Sequence, residues 1–348
     1  MTKARILDQH PSGRLAALEA QRIVRRFATE STIWRRLADH LVAKIENRLI
    51  ERILLSRLRA GLRAAMAEER AEAALMKMRG AYASGQMETL PSFLPRSLPA
   101  NVRMRGYSPQ KIKPITQPPA NILYVPGGGF IFPMSVRQKT MMARLAEETE
   151  CEVFPGTHRL APEYPFPAAA EDIATQFRNI ADVSGETPLF MGGDTAGASI
   201  VLGALQILIS EQYKPLPKGI ILFSPWGDLS LSGWSYITKS VTAESPFRME
   251  TAAFCARLYL GSHSSTDPLA SPIFSDQSDW PPLLIHTSEN DLHFDDAMTL
   301  AENGLNRNGQ VQVNYWNSPR HHLERLSSKD SARSFSEVRA FINGHLGT

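Results

Sequence analysis

Six residues, Gly192-Gly193-Asp194-Thr195-Ala196-Gly197, constrain this chain more than any other stretch. A short apolar run, Pro188 to Met191, enters them, and an unbroken helical pattern, Ala196–Gln212, leaves them. Small residues two places on either side of one hydroxyl, between a strand and a helix, predict a turn too sharp for side chains at Gly193 and Gly197. Such an elbow lifts the hydroxyl of Thr195 to the tip of the turn. It also sets that hydroxyl at the N-terminus of a helix, whose dipole favours developing negative charge. An ordinary strand-to-helix turn with glycines for close packing has the same local pattern, so the rest of the chain must decide between the two.

Around the elbow the pattern alternates. Apolar runs read as strands at Asn121–Val125, Cys151–Thr157, Pro188–Met191, Gly219–Phe223, Leu283–Thr287 and Val311–Trp316. Helical periodicity fills Val136–Thr149, Ala168–Val183, Ala196–Gln212, Ala297–Arg307 and Lys329–Leu346. Apolar strands alternating with amphipathic helices predict an α/β fold with a mostly parallel sheet covered on both faces. The 348 residues suffice for one such catalytic domain, 85–348, and an appendage, 1–84. The section 232–265 breaks the rhythm and reads as a second cap element over the strand ends.

The appendage carries the charge asymmetry. Residues 1–80 hold 17 Lys/Arg against 9 Asp/Glu, a net +8 that leaves −5 for the remainder. Within it Leu37, Leu41, Ile45, Leu49 and Ile53 recur every fourth residue among arginines, an amphipathic helical arm. We read it as a cap laid on the catalytic domain, arginine stems shielding apolar surface. Peripheral membrane contact and dimerisation through the arm are the alternatives, and no motif supports nucleic-acid binding. Two cysteines without metal-type spacing, Cys151 and Cys255, read as buried free thiols of a reducing compartment. With no signal-peptide pattern and no apolar run near the roughly 18–20 residues of a membrane span, a cytoplasmic protein is expected.

Two further stretches complete a chemical reading. Pro126-Gly127-Gly128-Gly129-Phe130 directly follows a strand, and its glycines let backbone N–H groups approach a ligand closely. The Lys-Ser/Thr ending of a phosphate-binding loop is absent. Paired with the elbow, the loop reads as an oxyanion hole in which amides of Gly128 and Gly129 converge with that of Ala196. After the elbow come an acid loop, Glu289 to Asp296, and then His321-His322, each just past the C-terminal end of a strand. That is the order nucleophile, carboxylate, histidine, at the sheet edge where open α/β sheets place ligands.

Over about residues 85–346 the chain resembles the hormone-sensitive-lipase family of α/β-hydrolases. Pro126–Gly129 is similar to its His-Gly-Gly-Gly loop, and Gly193–Gly197 to its Gly-Asp-Ser-Ala-Gly elbow. HRLAPEYPFPAAAED (158–172), SPWGDL (224–229), DPLASP (267–272) and ENDLHFDD (289–296) match further landmarks. The resemblance implies Asp291 as the triad carboxylate, His321 as the base, and N-terminal helices as a lid over an acyl pocket. Two departures fall at the chemistry: Thr195 stands for the elbow Ser, and Pro126 for the loop His. Thr keeps a hydroxyl for His321 to deprotonate, but its methyl restricts χ1. Crowding of that size costs about 1–3 kcal/mol, or roughly 5- to 150-fold in rate if it falls wholly on the transition state.

The expected activity is therefore hydrolysis of a small or medium carboxylic ester by Thr195, Asp291 and His321, with neither cofactor nor metal. A second function on the same frame is a lyase of dehydratase type. There His321 removes a proton beside a carbonyl and the hole holds an enolate; plant hydroxyisoflavanone dehydratases, similar to this family, can carry Thr at the elbow. The third is a catalytically silent small-molecule binding protein, like the plant gibberellin receptors of similar fold.

Overall fold

The computed structural model describes residues 79–80, 83–84, 117–239, 248–307, 309–316 and 329–347. Most of the basic arm, and His321 with His322, lie outside the described residues.

Six strands form one sheet: β1 (Asn121–Val125), β2 (Glu152–Pro155), β3 (Leu189–Asp194), β4 (Ile220–Phe223), β5 (Leu283–Ser288) and β6 (Val311–Trp316). Their order is β2-β1-β3-β4-β5-β6, and every neighbouring pair is parallel. The helices are α1 (Val136–Thr149), α2 (Ala168–Ser184), α3 (Ala196–Ser210), α4 (Trp234–Thr238), α5 (Met249–Leu260), α6 (Phe294–Asn306) and α7 (Lys329–Gly344). This is the α/β architecture that the alternating pattern predicts.

Both faces of the sheet are buried, and strand periodicity divides them. Leu123, Val125, Met191, Ile220, Leu222 and Ile285 point into one core, shared with the inner faces of α2, α3 and α6. Ile122, Tyr124, Phe190, Ile221, Phe223 and Leu284 point into the other, closed by α1 and α7. Alternate residues of each strand thus enter different layers, which is why the strands read as continuous apolar runs. Helix α1 starts on a capping box: Gln138 N–H donates to Ser135 Oγ, and Ser135 N–H donates to Gln138 Oε1 at 2.8 Å.

Strand β3 continues three residues past the expected Met191, through Gly192, Gly193 and Asp194, which pair in register with Ile221, Leu222 and Phe223. Backbone pairing, not side-chain pattern, carries that extension straight into the elbow. Helix α6 begins at Phe294 rather than Ala297, with Asp295 and Asp296 in its first turn where the helix dipole favours carboxylates. Both cysteines are free and buried, and burial pushes the Cys255 thiol up to about 12. No helix among the described residues is long and apolar enough to cross a membrane.

The second core contains a buried imidazole. His286 lies between Ser334 Oγ, 2.7 Å from Nδ1, and Asn314 Nδ2, 3.1 Å from Nε2. Burial pushes its pKa down to about 3, against about 6.5 in an unfolded chain. As pH falls below 6.5 the unfolded chain therefore takes up a proton that the native state refuses. This group should remove about 1.4 kcal/mol of stability per pH unit between those values and nothing above them. Urea unfolding of wild type and His286→Gln from pH 7.5 to 4.5 checks this; equal pH slopes in the two proteins would mean that the native ring is protonated.

Candidate active site

The elbow is built by what its glycines lack. A Cβ on Gly193 would lie 2.7 Å from the Gly197 carbonyl carbon, and one on Gly197 only 2.1 Å from the Val125 carbonyl oxygen. Between them Thr195 adopts φ 48° and ψ −117°, a conformation costing a β-branched residue of order 1–3 kcal/mol. The surroundings hold it there. Its N–H donates to Phe223 O at 3.1 Å, while its carbonyl accepts from Ala198 N–H at 3.0 Å and Trp226 N–H at 3.2 Å. Ala196, at the first turn of the fifteen-residue helix α3, presents one of the N–H groups that no earlier turn can satisfy.

The glycine loop lies against this hydroxyl. A Cβ on Gly127 would fall 2.1 Å from Thr195 Oγ1 and 2.8 Å from Asp194 Oδ2, so only glycine leaves the hydroxyl its place. The sequence pattern singles out Gly128 and Gly129 as amide donors and gives Gly127 no role of its own. Three of the loop's carbonyls are bound. Gln138 Nε2 donates to Gly127 O at 2.6 Å, and the N–H groups of Ile131 and Phe132 donate to Gly128 O at 3.2 and 3.0 Å. Ala161 N–H donates to Phe130 O at 3.1 Å. Gly129 and Phe130 have positive φ, 57° and 67°. Among the described residues neither Gly128 nor Gly129 donates its N–H to a backbone carbonyl. Stacking of Phe130 on Tyr259 of α5, ring centroids 3.9 Å apart, fixes the far side of the loop.

Asp291 follows β5 in the turn before α6 and is buried. Its Oδ1 accepts from His293 N–H at 3.0 Å and lies 3.4 Å from His293 Nδ1. His293 is fully buried against the rings of Trp226 and Tyr236, at 5.5 and 5.8 Å between centroids. Three other carboxylates nearby tie loops together. Asp228 accepts from the N–H and hydroxyl of both Ser230 and Ser232. Asp295 accepts from Ser235 N–H. Asp296 Oδ2 accepts from Gly227 N–H, Asp228 N–H and Tyr236 hydroxyl at 2.8, 3.0 and 2.6 Å, and burial raises its pKa well above the usual carboxylate range. Trp226 joins the parts. Its ring meets Phe130 of the glycine loop at 5.3 Å and His293 of the acid loop, while its backbone N–H donates to Thr195 O.

Thr195, Ala196, Gly128 and Gly129 are thus gathered at one end of the sheet, and Asp291 follows a strand at the same end. His321 lies outside the described residues. Strand β6, which precedes it in the sequence, pairs Trp316 with Ser288 of β5.

The family model described as alpha/beta hydrolase fold matches residues 122–324, more than half of the chain. The chain belongs to the α/β-hydrolase family. An acetyl-hydrolase of Streptomyces hygroscopicus is 31% identical over 209 residues, 59% of this chain and 68% of that protein. An esterase of Acinetobacter venetianus is 28% identical over 204 residues, 58% of this chain but 66% of the relative's length. Among solved structures, a hormone-sensitive lipase from a metagenome library superimposes with TM-score 0.62 at 27% identity, covering 65% of this chain and 78% of that one. EstE5, soaked with p-nitrophenyl butyrate, gives TM-score 0.63 at 26% identity, covering 68% of this chain and 80% of that one. This α/β-hydrolase is thus esterase-like in both sequence and fold, of the hormone-sensitive-lipase type.

Proposed function

We propose that this α/β-hydrolase cleaves small or medium carboxylic esters through a Thr195-Asp291-His321 triad. The observation that carries the reading is the contact between Thr195 Oγ1 and Gly127, which sets the only hydroxyl of the elbow against the glycine loop. Thr195 Oγ1 attacks the ester carbonyl carbon and passes its proton to His321, whose other ring nitrogen is held by Asp291. The oxyanion that forms accepts hydrogen bonds from the amides of Gly128, Gly129 and Ala196. Collapse expels the alcohol, which takes the proton back from His321 and leaves an acyl-Thr195 ester. Water, deprotonated by His321, attacks that ester by the same route and frees the acid.

Residues 1–84 act in this reading as a helical cap and 232–265 as a second cap element, together shaping the acyl pocket. The buried free thiols fit a cytoplasmic setting. The esterases and acetyl-hydrolases that the chain resembles support the substrate class. Incubation with p-nitrophenyl acetate and butyrate, followed by mass measurement of peptides containing Thr195, tests it. An acyl adduct on Thr195 is expected; turnover without one, or no turnover, would remove the nucleophilic role.

The β-branched residue at φ 48° favours the lyase as the second reading, since a hindered hydroxyl can orient a substrate without being acylated. Thr195→Ser separates the two. For a hindered nucleophile, loss of the methyl should raise ester hydrolysis by roughly 5- to 150-fold, the rate equivalent of the 1–3 kcal/mol relieved. In a lyase the native turnover would fall or barely change, with esterase activity appearing only as a side reaction. A Thr195→Ser protein that folds normally and stays inert on every short ester would end the hydrolase reading.

A further inference from the structure

The glycine loop has a brace that comes from a distant part of the chain. Arg79, at the end of the basic arm, is 3% exposed. Its Nε donates to Ile131 O at 2.9 Å and its Nη2 to Ala161 O at 3.0 Å. Nη1 and Nη2 also reach Glu163 Oε1 and Oε2, at 3.0 and 3.2 Å, a two-pronged ion pair beneath the surface. Both carbonyls belong to the loop's frame. Ile131 follows Phe130 directly and its N–H closes on Gly128 O, while Ala161 N–H donates to Phe130 O. One planar guanidinium therefore joins the carbonyl just past Gly128-Gly129-Phe130 to that of Ala161, whose own N–H holds Phe130 O, a span that a lysine's single ammonium cannot make with the same geometry. Pro126, where the resembled family has His, has no N–H or side-chain donor to brace the loop itself.

We propose that Arg79, anchored by Glu163, is a positioning residue that holds the Gly128 and Gly129 amides in register with the oxyanion, so that the end of the N-terminal arm sets the catalytic rate. The assignment rests on the hydrolase reading above. Misplacement of reacting groups by about 1 Å costs on the order of 100-fold. In the full-length protein, Arg79→Lys keeps the charge beside Glu163 but loses the fork. Its kcat on p-nitrophenyl acetate should fall roughly 10- to 100-fold with KM within about twofold and the melting temperature near wild type. Deuterium uptake over 126–132 should rise while β3 and β4 keep their protection. In Arg79→Ala, added methylguanidinium should restore part of the lost kcat and methylammonium should not. Wild-type kcat in Arg79→Lys, or kcat, KM and melting temperature falling together, overturns the proposal. If the wild type hydrolyses no ester, the hydrolase reading fails by itself. Deuterium uptake then decides: a rise confined to 126–132 in Arg79→Lys upholds the brace, and unchanged uptake there overturns it.

Discussion

Replacing His321 by Ala should lower ester turnover on the order of 10,000-fold or more, while His322→Ala leaves a measurable fraction. The asymmetry follows from the single proton that the mechanism must move twice. Thr195 at its ordinary pKa is a negligible nucleophile, and within the proposed triad only a base beside its hydroxyl makes the attack productive. In the resembled family the base follows the preceding aromatic, here Trp316 at the end of β6, at a spacing that falls on the first of the two histidines. Steady-state kinetics with p-nitrophenyl acetate, and circular dichroism to show both variants folded, check the assignment. Equal losses in the two folded variants would count against His321 as the base.

What could be read in advance divides by the kind of interaction. Strand β6 and helix α1 were legible to the residue because side-chain period alone defines them. The elbow was legible because collision of a Cβ with backbone leaves a permanent mark, glycine at fixed offsets from the hydroxyl. The strand character of Gly192 and Gly193 left no such signal, because it comes from pairing with β4. The braces were invisible for the same reason. Arg79 meets Ile131 across 52 residues and Ala161 across 82, and among many arginines in a basic arm none is marked as buried. Gln138 shows half of itself in sequence, as the Ser135-x-x-Gln138 capping box, but not its bond to Gly127 O. His293 passed as one polar residue in an acidic loop, though it lies fully buried beside Asp291. Asp295 and Asp296 likewise read as part of a run of acids, and only their donors reveal them as staples that join α6 to the β4 loop and to Ser235.

Gly127→Ala should remove activity by about 100- to 1,000-fold and destabilise the protein by about 1–3 kcal/mol, and the two effects share a cause. The new methyl would lie 2.1 Å from Thr195 Oγ1, 2.8 Å from Asp194 Oδ2 and 2.9 Å from Asp194 O. Asp194 cannot yield far, since its carboxylate is buried and accepts from Tyr124 hydroxyl at 3.1 Å, and its backbone pairs with Phe223. Either the hydroxyl rotates away from its attacking position or the whole glycine loop lifts, carrying the Gly128 and Gly129 amides with it. Catalysis loses in both cases. A double-mutant cycle on stability tells whether the hydroxyl is the atom struck, without requiring any activity. Thr195→Ala deletes Oγ1 but keeps the Asp194 contacts. The cost of Gly127→Ala should therefore be smaller in that background, by an amount measurable in urea unfolding, while a remainder from Asp194 persists. An undiminished cost would place the Thr195 hydroxyl away from the loop, and with it would go the contact on which the ester-hydrolase reading stands.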